Sequence, residues 1–172
     1  EIGTFYQGSW YVDLNGNGIF DPGMSDAKDH DIVWKFGQAG DLPVVGDWDG
    51  DGYDEIGVLG NRAGGLTFEL DTNGNGAFEP FGGDASFTVD PVLIGGLRQP
   101  ISGDFAPNVP GDEFGFLRGN TWLIDLNGNR QFGDPGETML TTFRGQPLAG
   151  TWLLPGADSV ATYDGGVFRF DI

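Results

Sequence analysis

The sequence has no cysteine and a single histidine, His30. Disulfides, thiolate metal sites and thiol nucleophiles are excluded, and no histidine cluster is available for a transition metal. Basic residues are also scarce: 8 Lys and Arg stand against 26 Asp and Glu, a formal net charge of −18. A surface that acidic repels phosphate backbones and anionic lipid, so nucleic acid and membranes are poor partners and cations good ones. No apolar run approaches the roughly 18 residues needed to cross a bilayer as a helix. Sustained apolar stripes of helical period are missing too. Glycine is abundant: 32 Gly and 10 Pro bring the composition close to that of disordered chains. Against disorder stand 14 Phe, 5 Trp, 4 Tyr and a hydrophobic fraction of 38%, enough to bury a core. The glycines then read as turns. The chain opens on Glu1 with neither Met nor a leader, as expected of a processed protein or an excerpt.

Internal repetition organises the sequence. Glu1-Ile2-Gly3 recurs as Glu55-Ile56-Gly57 and as Glu113-Phe114-Gly115, with Ser159-Val160-Ala161 as a worn fourth copy. Asp13-Leu14-Asn15-Gly16-Asn17 recurs as Asp71-Thr72-Asn73-Gly74-Asn75 and Asp125-Leu126-Asn127-Gly128-Asn129. A third landmark contains Pro43-Val44-Val45-Gly46-Asp47-Trp48, Pro100-Ile101-Ser102-Gly103-Asp104-Phe105 and Pro147-Leu148-Ala149-Gly150-Thr151-Trp152. Three landmarks in fixed order mark units of about 46 to 58 residues. Within a unit, short runs rich in Val, Ile, Phe, Tyr and Trp (3–6, 10–14, 32–36 and 42–48 in the first stretch) sit between Gly, Asn and Asp clusters, as strands do. The fold class expected is all-β, with propeller-type repeats of four-stranded antiparallel blades. One repeat domain would span 1–172, with units near 1–37, 38–94, 95–144 and 145–172, or about 3.5 blades. Both end blades would be incomplete, giving three, four, four and three strands with 168–172 as the last.

The stretch Asp47-Trp48-Asp49-Gly50-Asp51-Gly52-Tyr53-Asp54-Glu55 carries the clearest chemistry. Carboxylates at loop positions 1, 3 and 5, a glycine at 6, a backbone carbonyl at 7 (Tyr53) and Glu55 at 9 are hard oxygen donors at the spacing of a Ca²⁺ cage. A solvated acidic turn is the plainer alternative, but crowded carboxylates without a basic neighbour repel one another, and a cation relieves that. The Asn-Gly-Asn loops leave two readings open. Asp13, Asn15, Asn17 and Asp21, and likewise Asp71, Asn73, Asn75 and Glu79, offer two carboxylates and two amides to a cation. Asn-Gly is also the commonest hairpin turn, since both residues tolerate positive φ. In the third copy Arg130 replaces the glycine and Gly133 takes position 9, so that loop is expected to bind nothing.

Residues 42–58, Leu-Pro-Val-Val-Gly-Asp-Trp-Asp-Gly-Asp-Gly-Tyr-Asp-Glu-Ile-Gly-Val, resemble an FG-GAP or VCBS-type repeat, the blade unit of integrin α-subunit propellers, and Phe36-Gly37 resembles its opening. Residues 10–18 are similar to the variant found in bacterial surface proteins. The resemblance implies a propeller whose loops bind calcium between the first and second strands of a blade. The ligands it implies are Asp47, Asp49, Asp51, the Tyr53 carbonyl and Glu55, where the family has Asp. The copies at 104–112 and 151–158 have lost the alternating acids and should hold no ion.

Other residues point to structure. Trp10, Trp34, Trp48, Trp122 and Trp152 fall near strands and read mostly as core, and His30 reads as a loop residue. No nucleophile motif, phosphate loop or marked acid pair appears, so an enzyme is not expected. The expectation is a calcium-binding, extracellular or cell-surface module, bacterial by resemblance, acting in adhesion or scaffolding through a protein, a glycan or another copy of itself. Its rivals are a subunit that self-assembles through incomplete end blades and, more distantly, a polysaccharide hydrolase.

Overall fold

The computed structural model describes residues 2–23, 30–93, 99–152 and 156–170. Glu1, residues 26–29 before His30, 153–155 and the last two residues of the expected final strand lie outside the described residues. Among those described there are fourteen strands and no helix. They form four antiparallel sheets of three, four, four and three strands, the division expected from the repeats. Sheet 1 holds β1 (Ile2–Tyr6), β2 (Ser9–Asp13) and β3 (Ile32–Lys35); sheet 2 holds β4 (Leu42–Gly46), β5 (Glu55–Arg62), β6 (Gly65–Leu70) and β7 (Ala85–Val89). Sheet 3 holds β8 (Pro100–Gly103), β9 (Glu113–Arg118), β10 (Thr121–Ile124) and β11 (Thr138–Leu140). Sheet 4 holds β12 (Gln146–Gly150), β13 (Ser159–Asp164) and β14 (Val167–Phe170). Strands follow one another in chain order across every sheet. No helix is long and apolar enough to cross a membrane.

Local chemistry accounts for this meander. Two-residue hairpins close β1 on β2, where Tyr6 faces Ser9, and β13 on β14, where Asp164 faces Val167. Both central residues of each turn have positive φ, Gln7 at 49° and Gly8 at 80°, Gly165 at 57° and Gly166 at 86°, the twist a tight antiparallel hairpin needs. Pro43, Pro100 and Pro147 sit in β4, β8 and β12, which are edge strands, where a residue without an N–H breaks no ladder.

Three buried clusters join neighbouring sheets in succession. Trp10 and Phe36 pack with Ile56 and Val58 between sheets 1 and 2. Trp48, Leu59, Phe68 and Leu70 meet Phe114 and Phe116 between sheets 2 and 3. Ile101, Trp122 and Ile124 meet Val160 between sheets 3 and 4. None of the three joins sheet 1 to sheet 4. The first strand β8 lies beside both β4 and β12. The last sheet turns Trp152, Tyr163, Phe168 and Phe170 toward solvent, so Trp152 is less buried than the core role expected of most tryptophans. His30 is half-buried, with its ring against Gly23.

One ion cluster pins sheet 2. The Arg62 guanidinium donates to Glu69 Oε1 and Oε2 at 2.8 and 2.6 Å and to Asp41 Oδ1 and Oδ2 at 3.0 and 2.7 Å. Those hydrogen bonds raise its already high pKa. Arg62→Met leaves two carboxylates facing each other without the cation. A loss of about 2–3 kcal/mol in urea unfolding is expected, below the range for fully buried pairs because the cluster keeps some solvent contact.

Candidate metal centre

The loop at 47–55 joins β4 to β5 and is curled by its own carboxylates. Asp47 Oδ1 accepts the N–H groups of Gly50 and Asp51 at 2.6 and 3.1 Å, and its Oδ2 accepts that of Gly52 at 2.9 Å. Asp49 accepts the Asp51 N–H at 3.1 Å, and Asp51 accepts the Tyr53 N–H at 2.9 Å. Gly50 and Gly52, at φ 81° and 92°, make the left-handed steps this curl requires. Carboxylate oxygens of Asp47, Asp49 and Glu55 converge to within 4.8 Å of one another. Asp51 lies outside that trio, and Tyr53 turns its side chain to solvent, 75% exposed. Among the described residues none of these carboxylates is in an ion pair. Burial pushes the Glu55 carboxyl up to about 7; the Trp48 N–H at 3.0 Å opposes this, and the charges of Asp49, Asp51 and Asp47 add to it. Like charge gathered without a counter-charge is the arrangement a divalent cation stabilises.

The Asn-Gly-Asn loops join β2 to β3, β6 to β7 and β10 to β11, the later strand being the outer one each time, and they share the curl. Asp13 accepts the Asn17 and Gly18 N–H groups, Asp71 those of Asn75 and Gly76, and Asp125 those of Asn129 and Arg130. Arg130 adopts φ 61° where the other copies have glycine. The closing acid, however, is satisfied internally. The Asn15 amide donates to Asp21 at 3.1 Å, and the Asn75 amide donates to Glu79 at 2.9 Å, with Asn73 at 3.5 Å. In the third copy Asn127 and Asn129 both donate to Asp134, at 3.1 and 2.8 Å. Side-chain amides thus meet the closing acid in these loops, whereas among the described residues Glu55 accepts only the Trp48 N–H.

Sequence reading missed a second set of acids. Asp31 accepts the N–H groups of Leu14 and Asp21, Asp84 those of Thr72 and Glu79, and Glu137 those of Gly133 and Asp134. Each stands just before the outer strand; Asp31 and Asp84 tie the two arms of their loops together, and Glu137 holds two adjacent residues of one arm. Their only sequence signal is position, an acid at the end of a loop already rich in acids.

In sheet 3 the equivalent of the acidic loop keeps Asp104, Asp112 and Glu113 but has no counterpart of Asp49 or Asp51. Glu113 is 2% exposed, its Oε2 accepts the Ala106 N–H at 2.8 Å, and its Oε1 has no partner. Burial pushes this carboxyl up to about 7, with the Asp104 charge adding to it. A carboxyl whose folded pKa is raised contributes stability below its unfolded value near 4.5, and loses it as pH rises toward 7. Glu113→Gln, neutral throughout, should therefore lose on the order of 2–3 kcal/mol less than the parent between pH 4.5 and pH 7.5. Urea midpoints of the two proteins in chelator across that range are the check; parallel curves would remove Glu113 from the account. Comparison with protein-family models, with curated proteins and with solved structures finds no match to this chain.

Proposed function

We propose that the chain is a calcium-stabilised β-repeat module of an extracellular or cell-surface protein, working in binding, adhesion or scaffolding and not in catalysis. The observation that carries this reading is the convergence of the Asp47, Asp49 and Glu55 carboxylates with no cationic side chain among them. Oxygen-only donors on a curled loop suit Ca²⁺, whose flexible coordination accepts six to eight oxygens, and such loops match the calcium levels found outside cells. A propeller-type arrangement is part of the proposal. It is supported by the buried clusters that join the sheets in chain order and by the contacts of β8 with β4 and with β12, as expected of strands nearest a common axis. The ion rigidifies the junction of β4 and β5, and the module presents its outer loops to a partner.

The order of cation binding among the loops tests this. The 47–55 loop should fill first. The loops at 13–21 and 71–79 should fill later or not at all, because their amides already neutralise the closing acid. The loop at 125–134 should stay empty, since Arg130 adds positive charge there. Anomalous scattering from crystals soaked in a calcium series reads the order directly. An occupied 125–134 loop beside an empty 47–55 loop would sink the reading.

A further inference from the structure

Each Asn-Gly-Asn loop sets two backbone N–H groups around its second asparagine. In the loop at 71–79 the Gly76 N–H donates to Asp71 Oδ2 at 2.6 Å, and the Ala77 N–H donates to Asn75 Oδ1 at 2.8 Å. The amide nitrogen of Asn75 donates to Glu79 Oε2 at 2.9 Å, which leaves the carbonyl side of that amide to Ala77. A side-chain carbonyl hydrogen-bonded two residues on lies over the intervening peptide, here the Gly76 nitrogen. That nitrogen is the one that can close a five-membered ring on the Asn75 Cγ. Asn75 is exposed, and Gly76 is buried against Trp34, whose ring a Cβ at position 76 would strike. The peptide is thus held against sheet 1 while the side-chain amide stays open to water.

Other asparagines of these loops are less well served. Asn73 Oδ1 accepts the Asn75 N–H at 3.1 Å, but that N–H is shared with Asp71 Oδ1, also at 3.1 Å. Asn129 has both contacts, from the Arg130 N–H to Asp125 Oδ2 at 2.6 Å and from the Gln131 N–H to Asn129 Oδ1 at 2.8 Å. There, however, the attacking nitrogen belongs to arginine, whose Cβ crowds its approach. Asn17 matches Asn75: the Gly18 N–H donates to Asp13 Oδ2 at 2.8 Å, and the Ile19 N–H donates to Asn17 Oδ1 at 2.7 Å.

We propose that Asn75, and Asn17 by the same contacts, is a site of self-modification at which the loop converts the side-chain amide to an acid. The Gly76 nitrogen attacks the Asn75 Cγ, and an N–C bond forms. Its proton passes to Asp71 Oδ2, which already accepts that hydrogen bond, and the charge that develops on Oδ1 is met by the Ala77 N–H. As the carbonyl reforms, the bond from Cγ to Nδ2 breaks, and Nδ2 takes the proton from Asp71 and leaves as ammonia. Water then opens the cyclic imide at one of its two carbonyls. One opening leaves aspartate, and the other leaves isoaspartate, with the main chain running through the former side chain. Aspartate at position 75 puts a carboxylate where the 47–55 loop has Asp51. Tighter calcium binding by the converted loop rests on the calcium reading above; the conversion does not, and its test is run in chelator.

The whole chain is aged in mildly alkaline buffer with chelator, folded in one series and unfolded in urea in the other. Peptide mapping by mass spectrometry follows the conversion of each asparagine. Asn73 and Asn75 both precede glycine, so in urea they should convert alike. In the folded chain Asn75 should convert about tenfold faster than Asn73, because only Asn75 has an unshared N–H on its carbonyl and a carboxylate on the attacking nitrogen. Asp71→Asn should erase that preference while the preference for Asn17 over Asn15 persists, which also shows that the variant is folded. Asn73 keeping pace with Asn75 in the folded chain would overturn the proposal. So would a folded chain that keeps its Asn75 amide while the unfolded chain loses it, or a preference for Asn75 that survives Asp71→Asn.

Discussion

Calcium added in excess to the chelated protein is expected to raise its unfolding midpoint. A ligand that binds the folded chain alone stabilises it by about 2.7 kcal/mol once its free concentration reaches roughly 100 times Kd. Asp49→Ala should remove most of this gain, because Asp49 is one of the three acids that converge and is exposed enough to lose without damage to the core. The gain should also depend on pH with a definite sign. In the ion-free fold burial holds Glu55 up at about 7, so below that value calcium must displace a proton to reach it. The calcium-induced shift is therefore larger at pH 8 than at pH 6, and calorimetry in buffers of different ionisation enthalpy should find a proton released per ion near pH 6. Without calcium, Glu55 acts in the opposite sense: its stabilising contribution is full below about 4.5 and gone above about 7. A midpoint indifferent to chelator at pH 8 would exclude the 47–55 loop as a calcium site.

Repetition made much of this fold legible before any coordinates. The Pro-x-x-Gly landmark closes one strand, Glu-Ile-Gly opens the next and Asp-x-Asn-Gly-Asn marks the loop after the strand that follows, so together they place the strand boundaries. The division into three, four, four and three strands follows from counting them. Interlocking of the sheets was not legible. The hydrogen bond from the Asp47 N–H to Asp112 joins residues far apart in sequence, and nothing in an acidic chain distinguishes a gripping aspartate from a solvated one. The same holds for Asp31, Asp84 and Glu137, whose role depends on which amides a loop brings near. In the site itself, the spacing indicated Asp47, Asp49 and Glu55 correctly as neighbours, but gave no means of seeing that Asp51 would lie outside the trio. Nor could spacing show that the Asn-Gly-Asn loops satisfy their own closing acids, which depends on side-chain amide orientation.

Burial at a single repeated position sets the largest mutational effect expected in the core. Trp10, Phe68, Trp122 and Phe168 face Phe5, Leu59, Leu117 and Tyr163, each two residues beyond the Gly or Ala of its repeat landmark. They are therefore one aromatic position seen four times, in the strand that follows the landmark strand: β2, β6, β10 and β14. Their exposures are 4%, 0%, 0% and 56%. The first three are covered by the following sheet; among the described residues no sheet covers the fourth. Phe68 shows what that cover consists of: its ring centroid lies 4.7 Å from Phe114 and 6.1 Å from Phe116 of the next sheet, and 4.9 Å from its cross-strand neighbour Phe87. Phe68→Ala removes a filled site between two sheets that cannot collapse without moving both, and should cost about 3–5 kcal/mol. Phe168→Ala removes the equivalent side chain from a surface, where only contacts with Tyr163 and Phe170 are lost, and should cost about 1 kcal/mol or less. Denaturant unfolding of the two variants at one pH, with and without calcium, measures the difference. A cost for Phe168→Ala that equals that of Phe68→Ala would mean the last sheet is covered in solution, and its aromatic face would have to be treated as an occupied interface.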